Sequence, residues 1–177
     1  MDLKEHIRSI QDYPKKGILF RDITTLIKDE KAFTETVNRI VKILTNYNFD
    51  KIAAIESRGF VFASAISYIL DKPFIMLRKK NKLPAEVHSV DFKLEYGTAT
   101  IEVHKDSFNK SDNVLIIDDL IATGGTAEAA AKLIEISKSK VAGFIFVINL
   151  FDLGGTDNLL KKGYKVENLL DFPGHWW

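Results

Sequence analysis

Residues 114–126 have the sequence VLIIDDLIATGGT, in which an apolar run is followed by two acids and a Gly-Gly pair. A continuous apolar run is typical of a strand that is covered on both faces of a sheet. The glycines, with the alanine-rich segment after them, predict a tight loop that opens a helix. In open α/β sheets, ligands bind beyond the carboxyl ends of strands, and a helix N-terminus there attracts anions. The stretch therefore predicts a phosphate site.

The glycines, threonines and aspartates of this stretch indicate two different binding functions. Gly124 and Gly125 allow the backbone to approach a ligand closely, and the hydroxyls of Thr123 and Thr126 add donors to the free N–H groups. The aspartates at 118–119 would repel a phosphate, so we expect them to bind hydroxyl groups or a hydrated divalent cation beside it. The alternative is an ordinary strand-to-helix turn that the second aspartate caps. Neither a P-loop ending nor a G-x-G-x-x-G pattern is present, which disfavours nucleoside triphosphate and dinucleotide folds.

The rest of the chain alternates apolar strand-like runs with helical patterns. Strand-like runs occupy 52–55, 74–77, 114–117 and 141–148, and helical patterns occupy 60–70 and 126–138. This order predicts one α/β domain, residues 1–177, with a central, mostly parallel sheet flanked by helices. Residues 87–103 are the exception, because apolar residues there alternate with polar ones such as Glu102. The alternation predicts an antiparallel excursion with one face in solvent, and such an excursion can act as a lid.

Two helices are predicted before the first of these strands. Asp2 has capping-box spacing to Glu5, and apolar residues recur at helical intervals, so we expect a short helix that ends near Tyr13. Asp29 is placed to cap a longer helix with an apolar stripe over 33–44. The second helix should pack on the sheet.

The composition is that of an ordinary globular protein. The chain has 177 residues, of which 46% are hydrophobic and 28% charged, and 25 basic against 24 acidic side chains give a net charge of +1. A net charge this small does not attract nucleic acid or an anionic membrane at long range, and neither is expected as a partner. The lack of cysteine excludes disulfides and thiolate chemistry. No segment has the form of an export signal or membrane anchor, so we expect a cytoplasmic protein.

Residues 118–126 resemble the phosphoribosyl-pyrophosphate signature of the type I phosphoribosyltransferases. Three further segments narrow the resemblance to the adenine-specific members. They are 17–23 (GILFRDI), 56–60 (ESRGF) and 94–97 (LEYG). The resemblance implies a type I phosphoribosyltransferase fold with an antiparallel lid, or hood, excursion.

The resemblance also implies a reaction and its partners. A phosphoribosyl group would pass from 5-phosphoribosyl 1-pyrophosphate to adenine, which gives AMP and pyrophosphate. Mg²⁺ is the implied cofactor, held mainly by substrate and water rather than by protein ligands. The resemblance implies a homodimer. Within each chain it implies an N-terminal helix and base-binding segment at 1–27 and a flexible lid at about 79–98.

Binding of the sugar and its phosphates is implied for four parts of the chain. Residues Ala122, Thr123, Gly124, Gly125 and Thr126 would cradle the 5′-phosphate. Asp118 and Asp119 would accept hydrogen bonds from the ribose and favour a cationic transition state. The residues implied for pyrophosphate follow the ends of two strands and are Ser57, Arg58, Arg78 and Lys82. Two alternatives remain: a surface ion pair between Glu56 and Arg58, and a solvated basic turn or nucleic-acid patch at 78–82.

The base and the lid involve a different set of residues. Main-chain groups of Leu19 and Arg21, near Phe20, are implied to read adenine, and Leu120 and Ala122 would form apolar walls. Glu95 would exchange a proton with the purine, and Tyr96 would help to close the site. The catalytic residues implied are therefore Arg58, Glu95, Asp118 and Asp119. The alternative for the segment around Glu95 is an exposed turn before the next strand.

Several departures from the family pattern, at positions 16, 81, 85–86 and 92, and two competing functions remain. Asn81 stands where the family often has glycine, but asparagine tolerates a left-handed backbone, so the turn can survive. A type I transferase for another base should lack the matches at 17–23 and 94–97. A regulator that senses phosphoribosyl pyrophosphate usually carries a DNA-binding segment, and we expect none before Tyr13.

Overall fold

The computed structural model describes residues 1–94 and 97–174. Its strands are β1 (Arg8–Gln11), β2 (Leu19–Asp22), β3 (Lys51–Ile55), β4 (Phe74–Lys79), β5 (Val87–Lys93), β6 (Thr98–His104), β7 (Asn113–Ile121), β8 (Lys140–Leu150) and β9 (Val166–Phe172). Its helices are α1 (Thr24–Ile27), α2 (Glu30–Leu44), α3 (Arg58–Leu70), α4 (Gly125–Ile136) and α5 (Gly155–Lys161), with 3-10 turns at Leu3–His6 and Phe151–Leu153. Within the described ranges, no helix is both long and apolar enough to cross a membrane.

The main sheet has the strand order β5-β6-β4-β3-β7-β8-β9. Strands β4, β3, β7, β8 and β9 are parallel, whereas β6 pairs antiparallel with both β4 and β5 at one edge. Strands β1 and β2 form a separate antiparallel hairpin. The predicted mostly parallel sheet with an antiparallel excursion is confirmed.

The strand order places a crevice between β3 and β7. From β3 the chain first crosses to β4 on one side of it, and it later returns to place β7 on the other side. At such a reversal the connections leave the two neighbouring strand ends in opposite directions, which opens a ligand site at their carboxyl ends. Ile55 and Ile117 approach this point on adjacent strands.

The apolar run of β7 is buried on both faces, as its composition predicts. Leu115 and Ile117 belong to the core packed beneath α2 and α3, while Val114 and Ile116 belong to the core on the α4 side. The alternation follows from the two-residue period of a strand. The predicted cap of α2 is confirmed as well, since the Asp29 carboxylate accepts a hydrogen bond from the N–H of Ala32 at 2.9 Å.

Three local predictions were wrong. The first helix is only the 3-10 turn Leu3–His6, because the chain then becomes extended at Ile7 and pairs as β1 with β2. Strand β7 continues through both acids to Ile121, since pairing with β8 extends that far. Glu102 lies in a buried position and not on a solvent face, because the turn after β4 and Ser89 on β5 both contact its carboxylate.

Candidate active site

A cavity of about 620 Å³ opens at the carboxyl ends of β3, β4 and β7. Its walls come from the ends of these strands, from the loop before α4, and from the tip of the β5–β6 excursion. Most of the residues implied for the sugar and phosphates line it, namely Ser57, Arg58, Arg78, Asp118, Asp119 and the whole segment 122–126. A volume of this size suits a nucleotide-sized ligand.

The loop before α4 has the geometry of an anion cradle. Gly124 has φ +91°, a left-handed conformation that favours glycine, and helix α4 begins at Gly125 without a side-chain cap. The N–H groups of the first turn are therefore available to a ligand in the cavity. The β5–β6 excursion approaches the cradle from the opposite wall. If Gly125 carried a Cβ, the carbonyl oxygen of Lys93 on β5 would lie 3.5 Å from it.

Arg58 and Asp119 form the central ion pair of the site. Arg58 is the first residue of α3 and follows β3, while Asp119 lies on the neighbouring strand β7. The Nε of Arg58 donates to Oδ2 of Asp119 at 2.6 Å, and the carboxylate of Asp119, whose residue is only 6% exposed, raises the pKa of Arg58 further. The arginine side chain remains 52% exposed. Bonding through Nε leaves the Nη edge of the guanidinium for a ligand.

Asp118 is held in a setting that disfavours its charge. Burial raises the pKa of its carboxyl well above the usual range, and the charge of Asp119 adds to the shift. Its Oδ1 accepts a hydrogen bond from the main-chain N–H of Asp119 at 2.8 Å. A Cβ added at Gly59 would lie 2.9 Å from the same oxygen, so the glycine allows α3 to pack directly on this acid. The carboxyl of Asp118 therefore carries its charge less readily than an exposed aspartate would, and it lies beside the ion-paired Asp119.

The end of β4 supplies more positive charge. Arg78, Lys79 and Lys80 line the cavity, whereas Lys82 is exposed and lies outside the residues that line it. The Nε of Arg78 donates to Glu56 at 3.2 Å. Glu56 thus pairs with Arg78, and the alternative of a Glu56–Arg58 surface pair does not occur. Ser57, whose peptide bond with Glu56 is cis, lies between the two arginine-bearing segments.

The segment implied for the base forms β2. Leu19, Phe20 and Arg21 are half-buried, and none is among the described residues that line the cavity. The guanidinium of Arg21 stacks on the Phe172 ring at 4.6 Å and donates to the carbonyl of Pro173 at 3.0 Å. Its side chain thus joins the hairpin to the end of β9. Leu120 and Ala122, the implied apolar walls, do line the cavity.

The two implied lid residues, Glu95 and Tyr96, lie outside the described residues. On either side of them, the N–H of Leu94 donates to the carbonyl of Gly97 at 2.9 Å, which closes a turn between β5 and β6. Phe92 and Leu94 line the cavity. The excursion therefore reaches the site, although the roles of Glu95 and Tyr96 stay predictions.

Sequence reasoning missed two acids near the basic turn, the half-buried Glu56 as a partner of Arg78 and the buried Glu102 as a partner of the turn backbone. The signal for Glu56 was present in its position directly after a buried strand. No comparable signal marked Glu102, since a single charged residue in an alternating strand is usually solvent-exposed.

Comparisons with known proteins agree with this geometry. Residues 24–174 match the family model described as phosphoribosyl transferase domain. An adenine phosphoribosyltransferase of Pelagibacter ubique (strain HTCC1062) is 78% identical over 175 residues, which cover 99% of this chain and 100% of that protein.

Solved structures give the same result. The crystal structure of adenine phosphoribosyltransferase from Thermoanaerobacter pseudethanolicus is 45% identical, with a TM-score of 0.93 over 97% of this chain and 98% of that one. The Saccharomyces cerevisiae enzyme, complexed with an imino-altritol bisphosphate and adenine, is 31% identical, with a TM-score of 0.88 over 96% of this chain and 97% of that one. The chain therefore belongs to the adenine phosphoribosyltransferases, within the phosphoribosyl transferase domain family.

Proposed function

We propose that this protein transfers the 5-phosphoribosyl group of 5-phosphoribosyl 1-pyrophosphate to adenine, forming AMP and pyrophosphate in purine salvage. The observation that carries the proposal is the cavity at the β3–β7 reversal, where an uncapped helix N-terminus, an acid pair and a held arginine meet. We also propose a cytoplasmic location, with which the lack of cysteine is consistent.

The proposed assignment of substrate groups follows from charge. The 5′-phosphate binds at residues 122–126, where main-chain N–H groups and threonine hydroxyls are donors. The ribose hydroxyls face Asp118 and Asp119, which lie on the strand just before that cradle. Pyrophosphate leaves toward Arg58 and Arg78, which line the cavity from β3 and β4. In this arrangement the two acids face the cationic sugar of the transition state, and the two arginines stabilise the negative charge of the departing pyrophosphate.

The base is proposed to lie against Leu120 and Ala122, with its polar edge read by main-chain groups of Leu19 and Arg21. A main-chain reader distinguishes the exocyclic amine of adenine from the oxo group of guanine, because the wrong base leaves buried groups unpaired. Glu95 and Tyr96 are proposed to complete the site when the excursion closes. The bound adenine of the Saccharomyces cerevisiae enzyme supports a purine subsite in this fold.

Mg²⁺ is the proposed cofactor, and the acids of the site fit a limited role in holding it. Within the described ranges, no three histidine or acidic side chains converge on a point where they could bind a metal. Asp118 and Asp119 are oxygen donors of the kind that Mg²⁺ prefers and can contact it through water. Most of the ligands would then be substrate oxygens, and the ion would neutralise charge on the leaving pyrophosphate.

Release of pyrophosphate tests the proposal. The purified protein is incubated with 5-phosphoribosyl 1-pyrophosphate and each of adenine, guanine, hypoxanthine and uracil, with Mg²⁺ or with EDTA. We expect turnover with adenine alone, and only with Mg²⁺. The Asp119→Asn variant, prepared in the same way, measures the activity of contaminating enzymes. Turnover with guanine but not adenine would reassign the base, and binding of the sugar substrate without any turnover would indicate a regulator.

We also propose a homodimer that uses the outer face of α3. Val61, Tyr68 and Ile69 are exposed at helical spacing on this face, Tyr68 to 85%, and Met76 on β4 is exposed as well. A cluster of large apolar side chains of this kind is typical of a protein interface.

The Tyr68→Lys variant is expected to convert the dimer to a monomer in sedimentation velocity, because the lysine charge would be buried in the interface. Leu160→Lys is the matched control, since Leu160 is 50% exposed on α5, and it should leave the dimer intact. A wild-type protein that sediments as a monomer at micromolar concentration would contradict the proposed assembly.

A further inference from the structure

The chain makes a basic turn where β4 leaves the sheet. Arg78, Lys79 and Lys80 are consecutive cations that line the cavity, and Asn81 follows with a left-handed φ of +68°. Like charges in sequence repel one another, and long basic side chains lose conformational entropy when they bind a ligand. A turn that presents these side chains to an anion binds it more tightly if the backbone of the turn is already fixed.

Glu56 fixes the first half of this turn. Its Oε1 accepts from the main-chain N–H of Lys79 at 2.8 Å and from the Nε of Arg78 at 3.2 Å. The glutamate side chain is 13% exposed, and the Arg78 side chain is 31% exposed. The carboxylate therefore holds both the backbone and the inner edge of the guanidinium. The Nη edge of Arg78 is left to bind phosphate oxygens in a bidentate manner.

Glu102 fixes the second half from the other side. Its Oε1 accepts from the main-chain N–H of Asn81 at 2.9 Å, and its Oε2 accepts from the hydroxyl of Ser89 on β5. Glu102 is only 6% exposed and lies opposite Arg78 in the β4–β6 pairing. One oxygen of this buried carboxylate binds the turn, and the other binds the neighbouring strand. Glu102 therefore joins the turn to the base of the excursion.

The same arrangement occurs at Arg58. A nearly buried acid, Asp119, holds the Nε of that arginine, as Glu56 holds the Nε of Arg78. Glu56 directly follows β3, and Asp119 lies on the adjacent strand β7. Each arginine is thus oriented by an acid from a different segment, and both line the same cavity.

We infer that Glu56 and Glu102 are positioning residues for the leaving group, because they clamp the basic turn 78–82 in the conformation that receives pyrophosphate. The inference rests on the proposed function, since that function identifies the anion. Neither acid is required to touch substrate, because each acts through the turn.

The inference is tested by titrating pyrophosphate with Mg²⁺ into four variants by calorimetry, in parallel with initial-rate kinetics. Glu56→Ala and Glu102→Ala are expected to weaken pyrophosphate binding about tenfold, the effect of losing hydrogen bonds to a charged acceptor. KM for 5-phosphoribosyl 1-pyrophosphate should rise with it, while KM for adenine stays unchanged. Glu56→Gln should restore most of the binding, because its amide oxygen can accept from the same two donors. Glu86→Ala is the control, since Glu86 is exposed in the same excursion.

The outcomes separate the clamp from other roles. If Glu56→Gln is as damaged as Glu56→Ala, the charge itself matters, as in cation binding, and the positioning role is wrong. If either alanine variant only lowers the melting temperature, or raises both KM values alike, the acid is merely structural. Failure of the proposed function would show instead as wild-type protein that binds pyrophosphate but does not release it from the sugar substrate with adenine.

Discussion

Replacement of Arg58 by alanine is expected to lower kcat/KM for 5-phosphoribosyl 1-pyrophosphate by about 30- to 1000-fold, equivalent to ~2–4 kcal/mol of transition-state stabilisation. Its Nε is held by Asp119 at 2.6 Å, and its side chain lines the cavity where we propose that the leaving group gains charge. The substitution removes that cation. It also leaves a carboxylate that is 6% exposed without its partner, so stability should fall as well.

Kinetics and melting must therefore be measured together. Arg39→Ala is the matched control, because the Nε of Arg39 pairs with Glu35 at 2.9 Å on the surface of α2, far from the site in sequence. An exposed pair of this kind contributes little, so its kinetics should equal those of the wild type. An Arg58→Ala protein with a lower melting temperature and intact kinetics would show that the arginine is only structural.

The sequence was most informative where one local segment contains the whole arrangement. The strand, the acid pair, the glycine turn and the helix N-terminus all lie within residues 114–126, and the structure assembles them in that order. Strand period and glycine conformational freedom are local properties, so they can be predicted without knowing the fold. The geometry of this loop was predictable for that reason.

Pairings between distant segments could not be predicted in the same way. Arg58 and Asp119 are 61 residues apart, and they meet only because β3 and β7 are neighbours in the sheet. Alternating strands and helices predict a parallel sheet but not its strand order, so the residue that pairs with Arg58 could not be predicted. Glu102 had the pattern of a solvent-facing residue, and it is buried because the turn at Asn81, 21 residues away in sequence, contacts its carboxylate.

The N-terminal hairpin shows tertiary pairing overriding a local pattern. Residues 2–10 have helical spacing, yet Arg8 lies opposite Asp22 in a two-stranded sheet. Hydrogen bonds from Thr24 and Arg8 lower the pKa of Asp22 to about 2. The arginine thus has a specific partner on β2, and short helical patterns give way to such long-range contacts.

Asp118→Asn is expected to make the protein more stable and much less active. Burial, with the charge of Asp119 beside it, raises the pKa of the Asp118 carboxyl, so its ionised form opposes folding. A group with a higher pKa in the folded than in the unfolded state costs stability as pH rises from the unfolded value of 3.8 to the folded one. Asparagine mimics the protonated form and removes this cost. It also removes a carboxylate proposed to face the ribose, so turnover should fall about 100-fold.

Melting curves at about pH 4 and about pH 8 check the sign. The stabilisation by Asp118→Asn should be small at the lower pH, where the unfolded state is still about half protonated. It should be larger at the higher pH, and each kcal/mol should raise the melting temperature by ~2–4 °C. Asp106→Asn is the control, because Asp106 is exposed and should show no gain at either pH. An Asp118→Asn protein that melts lower than the wild type at high pH would mean that the charged carboxylate is bound favourably in the fold. The acid would then be structural, and the cost in stability that we attribute to its burial would not exist.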